Sequence, residues 1–191
     1  MQPITIIVTD GYSDWEVATL AGVGRAFYGA DIRFASPEGG PITSVAGVPM
    51  SDTDKFDAAE DGVVVVCGGG AFEGDAAPDL SERLKEARRR GRIVAGICGG
   101  TIALARAGLL DDVKHTSNGS DYLARFAESY AGAANYVDQP TALRDGDIIT
   151  AAAPMPASFA MEVLAAAGLD TNKASEIPAM LSREHSGNAP N

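Results

Sequence analysis

The chain has 191 residues, 46% of them apolar and 21% charged, and carries a formal net charge of −11. That length holds one full α/β domain and is short for two, and the composition is that of an ordinary globular protein. The negative charge argues against nucleic acid and anionic membrane as partners, because both repel it. No apolar stretch is long enough to span a bilayer, and Met1-Gln2-Pro3 lacks the basic start of a secretory signal. Two cysteines, Cys67 and Cys98, cannot build a disulfide framework, so a reducing cytoplasm is expected. The only histidines are His115 and His185, with no zinc-like spacing to cysteine, so neither a metal nor a cofactor is expected.

Ile4–Thr9 is a short apolar run that predicts a buried strand. Asp10–Asp14 is a turn from which Ser13 or Asp14 can cap a helix over Trp15–Tyr28, closed by Gly29. Asp31–Ser36 predicts the next strand. Between Pro37 and Met50, glycines and prolines alternate with Ile42, Val45 and Val48, which predicts a small hairpin off the main sheet. Gly62–Cys67 has no polar alternation and predicts a strand covered on both faces. It ends in Gly68-Gly69-Gly70. Leu80–Arg90 repeats Leu80, Leu84 and Ala87 at helical spacing, and its basic end, Arg88, Arg89 and Arg90 with Arg92, is expected to be solvated.

Further on, Ile93–Ile97 predicts a strand, Thr101–Ala107 a helix ended by Gly108, and Ser120–Tyr130 another helix. Tyr136-Val137-Asp138 and Ile148–Ala151, separated by the Asp145-Gly146-Asp147 turn, predict a strand pair. Ala157–Ala167 is the last helix expected, with Gly168 after it. One domain over residues 1–181 is expected, followed by a polar tail, Ser182–Asn191, in which His185 is incidental. Strands alternating with helices predict a doubly wound, flavodoxin-like α/β fold: a mostly parallel sheet with helices on both faces and its site beyond the carboxyl ends of the strands.

The segment Arg92–Gly100, Arg-Ile-Val-Ala-Gly-Ile-Cys-Gly-Gly, carries the chemistry. An apolar strand runs into Gly-x-Cys-x-Gly and then a helix, the layout of a nucleophile elbow with cysteine in place of serine. Its glycines permit the sharp turn, and the helix start is expected to favour a thiolate at Cys98. Trp15, Tyr12 and Phe72 are candidate apolar walls, and Pro154, Met155 and Pro156 are expected to flank the site. Cys67 is expected to pack as a small hydrophobe, with resolution of an oxidised Cys98 as the alternative.

Four features in order resemble the DJ-1/PfpI (ThiJ/PfpI) superfamily, in its class-I glutamine-amidotransferase-like branch. They are the acidic Asp14-Trp15-Glu16 segment, the Val-Val-Val-Cys-Gly-Gly strand end, the Gly-Ile-Cys-Gly-Gly elbow, and Tyr136-Val137-Asp138 with Asp145–Thr150. The resemblance implies Glu16 as the carboxyl partner of Cys98, an oxyanion hole from the Gly69 and Gly99 amides beside Gly68, and a homodimer. It also exposes departures. Gly99 stands where protease-like members carry histidine, and Asn118 stands where others do. His115, three residues earlier in an extended segment, points to the opposite face from Asn118. Asn118 cannot take a proton near neutral pH, so peptidase activity is not expected. The expected function is cysteine-dependent hydrolase or lyase-type chemistry on a small electrophilic substrate: an amide, an isonitrile or an α-oxoaldehyde adduct. The alternative is a non-enzymatic redox or stress-response protein whose Cys98 is oxidised to sulfinate.

Overall fold

The computed structural model describes residues 1–183. Its frame is a seven-stranded sheet in the order β5-β2-β1-β6-β7-β9-β8. In chain order the elements begin β1 (Ile4–Ile7), α1 (Asp14–Tyr28), β2 (Ile32–Ser36), β3 (Ile42–Thr43), β4 (Pro49–Met50), β5 (Asp54–Lys55) and β6 (Val63–Val66). They continue with α2 (Ser81–Arg89), β7 (Ile93–Ile97), α3 (Gly100–Arg106), α4 (Ser120–Phe126), β8 (Leu143–Asp145), β9 (Ile148–Ala151), α5 (Pro156–Ala166) and α6 (Thr171–Ser182). All sheet neighbours are parallel except β8 and β9, which form an antiparallel hairpin. The fold is the mostly parallel α/β sheet expected from the alternating elements.

Every residue of β1, β6 and β9 is buried, as strands sandwiched between helical layers must be. Alternate side chains serve two cores. Ile4, Ile6, Val63, Val65 and Ile97 pack with Leu20 of α1, Phe159 and Val163 of α5, and Ile177 of α6. Ile7, Val64, Val66 and Val94 pack with Leu84 of α2, Ile102 and Leu104 of α3, and Leu123 of α4. Helix α1 stops where it does because Gly29 adopts φ 64° and turns its N–H, with that of Ala30, back onto the carbonyls of the last turn. Among the described residues no helix is long and apolar enough to cross a membrane.

Several sequence expectations need correction. Tyr136-Val137-Asp138 is not a strand of the sheet: Leu143–Asp145, next to the predicted turn, pairs with β9, and Tyr136 makes only an isolated bridge to His115. The predicted Ser120–Tyr130 helix ends at Phe126. Helix α6 was not expected and tolerates Pro178 in its interior; it starts at Asp170, whose carboxylate accepts the N–H groups of Asn172 and Lys173 at 3.1 and 3.3 Å. Ser182 therefore belongs to a helix, while 184–191, with His185, lie outside the described residues. The two-residue edge strand β5 was also unforeseen, whereas the predicted hairpin is present as β3–β4.

Arg92 departs most from expectation. It is 5% exposed rather than solvated, because it opens strand β7 beneath the loop before β6. There it donates to the carbonyls of Gly62 (3.2 Å), Asp57 (3.3 Å) and Ala58 (3.5 Å). Arg89 and Arg90, by contrast, stay exposed and pair with Glu86.

Candidate active site

Three adjacent strands deliver the site. Glu16 follows β1, Gly68 and Gly69 follow β6, and Cys98 follows β7, each just past a carboxyl end. Cys98 sits at φ 53°, the only non-glycine residue with positive φ among those described. That backbone conformation costs of order 1–3 kcal/mol and persists only where its surroundings hold it. Here the Cys98 carbonyl accepts both the N–H of Thr101 (3.0 Å) and its hydroxyl (2.5 Å), and that hydroxyl shares a 2.7 Å hydrogen bond with Ser117.

The glycines are there for space. A Cβ on Gly68 would lie 2.3 Å from Glu16 Oε2 and 2.7 Å from Cys98 Cβ; one on Gly99 would lie 2.7 Å from the Gly69 carbonyl oxygen. One on Gly100 would strike the Val66 carbonyl at 2.1 Å. The loops after β6 and β7 thus touch through their backbones. Among the described residues, neither the Gly69 nor the Gly99 N–H has a backbone acceptor, and the Gly99 N–H faces the Cys98 sulfur.

Glu16 is fully buried. Its Oε2 accepts the Gly68 N–H at 2.8 Å and lies 3.9 Å from Cys67 Sγ, while Oε1 has no strict hydrogen-bond partner among the described residues. Ser13, the residue before α1, makes no side-chain cap hydrogen bond to the helix backbone. Burial raises Glu16 above the ordinary carboxylate range, against the hydrogen bonds that favour its ionised form. Burial likewise pushes the Cys98 thiol up to about 11, the charge of an ionised Glu16 adding to the effect and the Asn118 amide opposing it. This reverses the thiolate expectation drawn from the helix start: α3 is only seven residues long, and its dipole is outweighed by desolvation. A proton on Glu16 removes the opposing charge and turns the carboxyl from acceptor to donor.

Asn118, on the loop before α4, completes the ring around the sulfur. Its Nδ2 donates to Cys98 Sγ at 3.2 Å, and its Oδ1 accepts the Ala153 N–H at 2.9 Å, so the segment after β9 flanks the site through its backbone. His115 is not brought to Cys98. It is fully buried, with Nδ1 2.8 Å from the Val113 carbonyl, Nε2 2.6 Å from the Tyr130 hydroxyl, and edge-on contacts to Tyr130 and Tyr136. Burial lowers its pKa, opposing the charged imidazolium. Phe72 is a core residue between β6 and α2, Tyr12 is buried beside α1, and Trp15 is exposed. Cys67 is wholly buried, its thiol pushed well up by desolvation.

Tyr122 and Glu73 were not foreseen. The Tyr122 hydroxyl donates to Glu73 Oε1 at 2.6 Å. No spacing rule links a loop after β6 to a helix some fifty residues on (|i−j| = 49), so only the folded chain brings them together.

Comparison with known proteins follows the same lines. The model of the DJ-1/PfpI family matches residues 2–166. The Bacillus subtilis protein YoaZ, described as an uncharacterized protease, is 32% identical over 126 residues, spanning 64% of this chain and only 60% of YoaZ. A second Bacillus subtilis protein of that description, YdeA, is 28% identical over 174 residues, 90% of this chain and 86% of its own. A DJ-1 superfamily protein from Agrobacterium tumefaciens has a solved structure with a TM-score of 0.90 and 37% identity, covering 97% of this chain and all (100%) of that one. A thiJ/pfpI family structure from Bacillus anthracis gives 0.82 and 28%, covering 96% and 91%. With a match over nearly its whole length and a fold that superposes this closely, the chain belongs to the DJ-1/PfpI family.

Proposed function

We propose that the protein is a cysteine-dependent hydrolase or lyase acting on a small electrophilic carbon, with Cys98 as nucleophile and Glu16 as its proton partner. The observation that carries this reading is the strained Cys98, flanked by a buried carboxyl on one side and an amide donor 3.2 Å away on the other. The reactive form places the thiol proton of Cys98 on Glu16, whose O–H then donates to the thiolate. The sulfur adds to the carbon of an amide, isonitrile or α-oxoaldehyde adduct. On a carbonyl carbon the displaced electron pair gathers on oxygen, where the Gly69 and Gly99 amides receive it; on an isonitrile it stays on the attacked carbon, which takes the proton from Glu16.

The relatives described as uncharacterized proteases raise peptide hydrolysis as a rival. His115 is spent on Val113 and Tyr130, so among the described residues no imidazole stands by Cys98 to protonate a leaving amine, and this favours small substrates over peptides.

The test is the pH profile of Cys98 alkylation, read by mass spectrometry, in wild type and Glu16→Leu, which has neither charge nor donor. If Glu16 supplies a donor to the thiolate, the variant's reactivity begins at higher pH than wild type. If Glu16 is merely an ionised neighbour, removing its charge moves the onset to lower pH and the reading fails. Turnover of the substrate panel, abolished in Cys98→Ser, identifies the reaction.

A further inference from the structure

Two buried hydroxyls link the elbow to the segment that carries Asn118, and their directions are fixed by what they bind. A carbonyl only accepts, so the single proton of the Thr101 hydroxyl goes to the Cys98 carbonyl at 2.5 Å. In the 2.7 Å bond between the two hydroxyls, Ser117 is therefore the donor and a Thr101 lone pair the acceptor. Ser117 is joined by one peptide bond to Asn118, whose Nδ2 returns to Cys98 Sγ at 3.2 Å. The path is a closed ring. It leaves Cys98 by the carbonyl, passes through Thr101, Ser117 and Asn118, and comes back to the same residue at sulfur. The Asn118 side of the ring is anchored from outside. The Thr116 N–H donates to the buried Thr150 hydroxyl of β9 at 2.9 Å, the Tyr136 hydroxyl donates to the Ser117 carbonyl at 3.2 Å, and Asn118 Oδ1 accepts the Ala153 N–H at 2.9 Å.

We propose that Thr101 and Ser117 are positioning residues that hold the Asn118 amide on the Cys98 sulfur and thereby set the reactivity of the thiol. The proposal rests on the reading of Cys98 as nucleophile. Asn118 is exposed, so water competes with the sulfur for its amide hydrogens. The amide stays on the sulfur because the backbone that carries it is held against the elbow, and the Ser117–Thr101 bond makes that connection directly. Donation from Ser117 also polarises the Thr101 hydroxyl and strengthens its own bond to the Cys98 carbonyl. One contact therefore places the donor at the sulfur and braces the residue held at φ 53°. Neither hydroxyl is bonded to the sulfur; both act through Asn118 and the Cys98 carbonyl. Buried hydroxyls of this kind work as a unit: removing either one opens the ring and leaves its neighbour short of a partner.

The test is the rate of Cys98 alkylation by iodoacetamide at neutral pH, read at that residue by mass spectrometry, with urea midpoints measured on the same proteins. Asn118→Ala slows alkylation about tenfold, the worth of a hydrogen bond to a charged group. Thr101→Val and Ser117→Ala each slow it about 3–10-fold, the worth of a neutral one. Thr101→Ser, which keeps the hydroxyl, restores the wild-type rate. In an Asn118→Ala background, Thr101→Val and Ser117→Ala have a smaller effect, because the ring is already open; the difference measures the coupling through the ring. If Thr101→Val and Ser117→Ala react like wild type, or slow alkylation by the same factor with and without Asn118, the ring is overturned while Cys98 stands as nucleophile. The ring is equally overturned if Thr101→Ser is as slow as Thr101→Val. If wild-type Cys98 is not alkylated, the nucleophile reading fails and the ring falls with it. Should Thr101→Val not fold, Ser117→Ala carries the same cycle with Asn118→Ala.

Discussion

Gly68→Ala is the substitution whose cost the geometry defines most closely. The backbone of Gly68 does not require a positive φ, so alanine meets no conformational objection there. Its methyl group does: it would sit 2.3 Å from Glu16 Oε2, 2.7 Å from Cys98 Cβ and 2.9 Å from the Gly99 nitrogen. Glu16 can yield only by giving up its 2.8 Å hydrogen bond from the Gly68 N–H, and Gly99 is backbone that cannot rotate away. Overpacking of this kind costs about 1–3 kcal/mol. Leaving a buried polar atom unpartnered costs about 1–3 kcal/mol more. A loss of about 3 kcal/mol corresponds to a fall in Tm of roughly 6–12 °C for a domain of this size. Urea unfolding and a thermal scan measure it, and the rate of Cys98 alkylation should change in parallel because the sulfur is displaced from Glu16. Gly70→Ala is the control, since a Cβ there has nothing within 4 Å. It should stay within about 0.5 kcal/mol of wild type. A Gly68→Ala protein within 1 kcal/mol of wild type, with unchanged thiol labelling, would refute the argument from contact (about 1 kcal/mol being the low end of the overpacking range).

Three further outcomes follow from the buried titratable groups. Burial raises the carboxyl of Glu16 above its ordinary value of 4.5, so from that pH upward the folded protein keeps a proton that the unfolded chain has lost. Its contribution to stability is therefore full below 4.5 and declines as pH rises through the folded value; urea midpoints against pH should show that decline in wild type and not in Glu16→Gln. Cys98 acts in the same sense further up, between 9.0 and about 11, and Cys98→Ser should reduce but not abolish the alkaline loss, because Cys67 is shifted the same way. Arg92→Ala strands the carbonyls of Gly62, Asp57 and Ala58 and should cost about 2–3 kcal/mol by chemical unfolding. Lysine there should recover only part of it, having a point charge where a planar fork reaches three oxygens.

The sheet and the elbow could be read from the chain because their signals are local. Four valines in a row before a glycine triplet have few other uses, and Gly-x-Cys-x-Gly between strand and helix constrains the backbone directly. What escaped depends on tertiary surroundings. Pro178 reads as a helix breaker, yet α6 forms because Ala174 and Ile177 gain burial and Asp170 caps its start. Tyr136 looks like a strand residue because it is apolar and near a turn, but its ring packs on His115 instead. Arg92 beside three other arginines reads as solvated; only the loop above β7 supplies the carbonyls that bury it. The same holds at the site: Glu16, the glycine pair and Cys98 are each marked by local pattern, whereas the pairing of Tyr122 with Glu73 exists only once α4 is docked. The thiol's resistance to ionisation was likewise hidden, because desolvation is a property of the packed site and not of the helix start.

Two thiols on neighbouring strands, one wholly enclosed and one partly open, make this molecule its own gauge of breathing. Cys98 borders the site, so a small reagent can reach it through local movement of the surrounding loops. Cys67 follows β6, between β1 and β7 in the middle of the sheet, and is wholly enclosed, so a reagent reaches it only when the structure around it opens. When closing is fast, the rate of labelling at Cys67 scales with the population of the opened molecule and that at Cys98 with the intrinsic chemistry of the site. Their ratio in a single sample therefore separates a substitution that alters reactivity from one that loosens the fold, without any optical probe of unfolding.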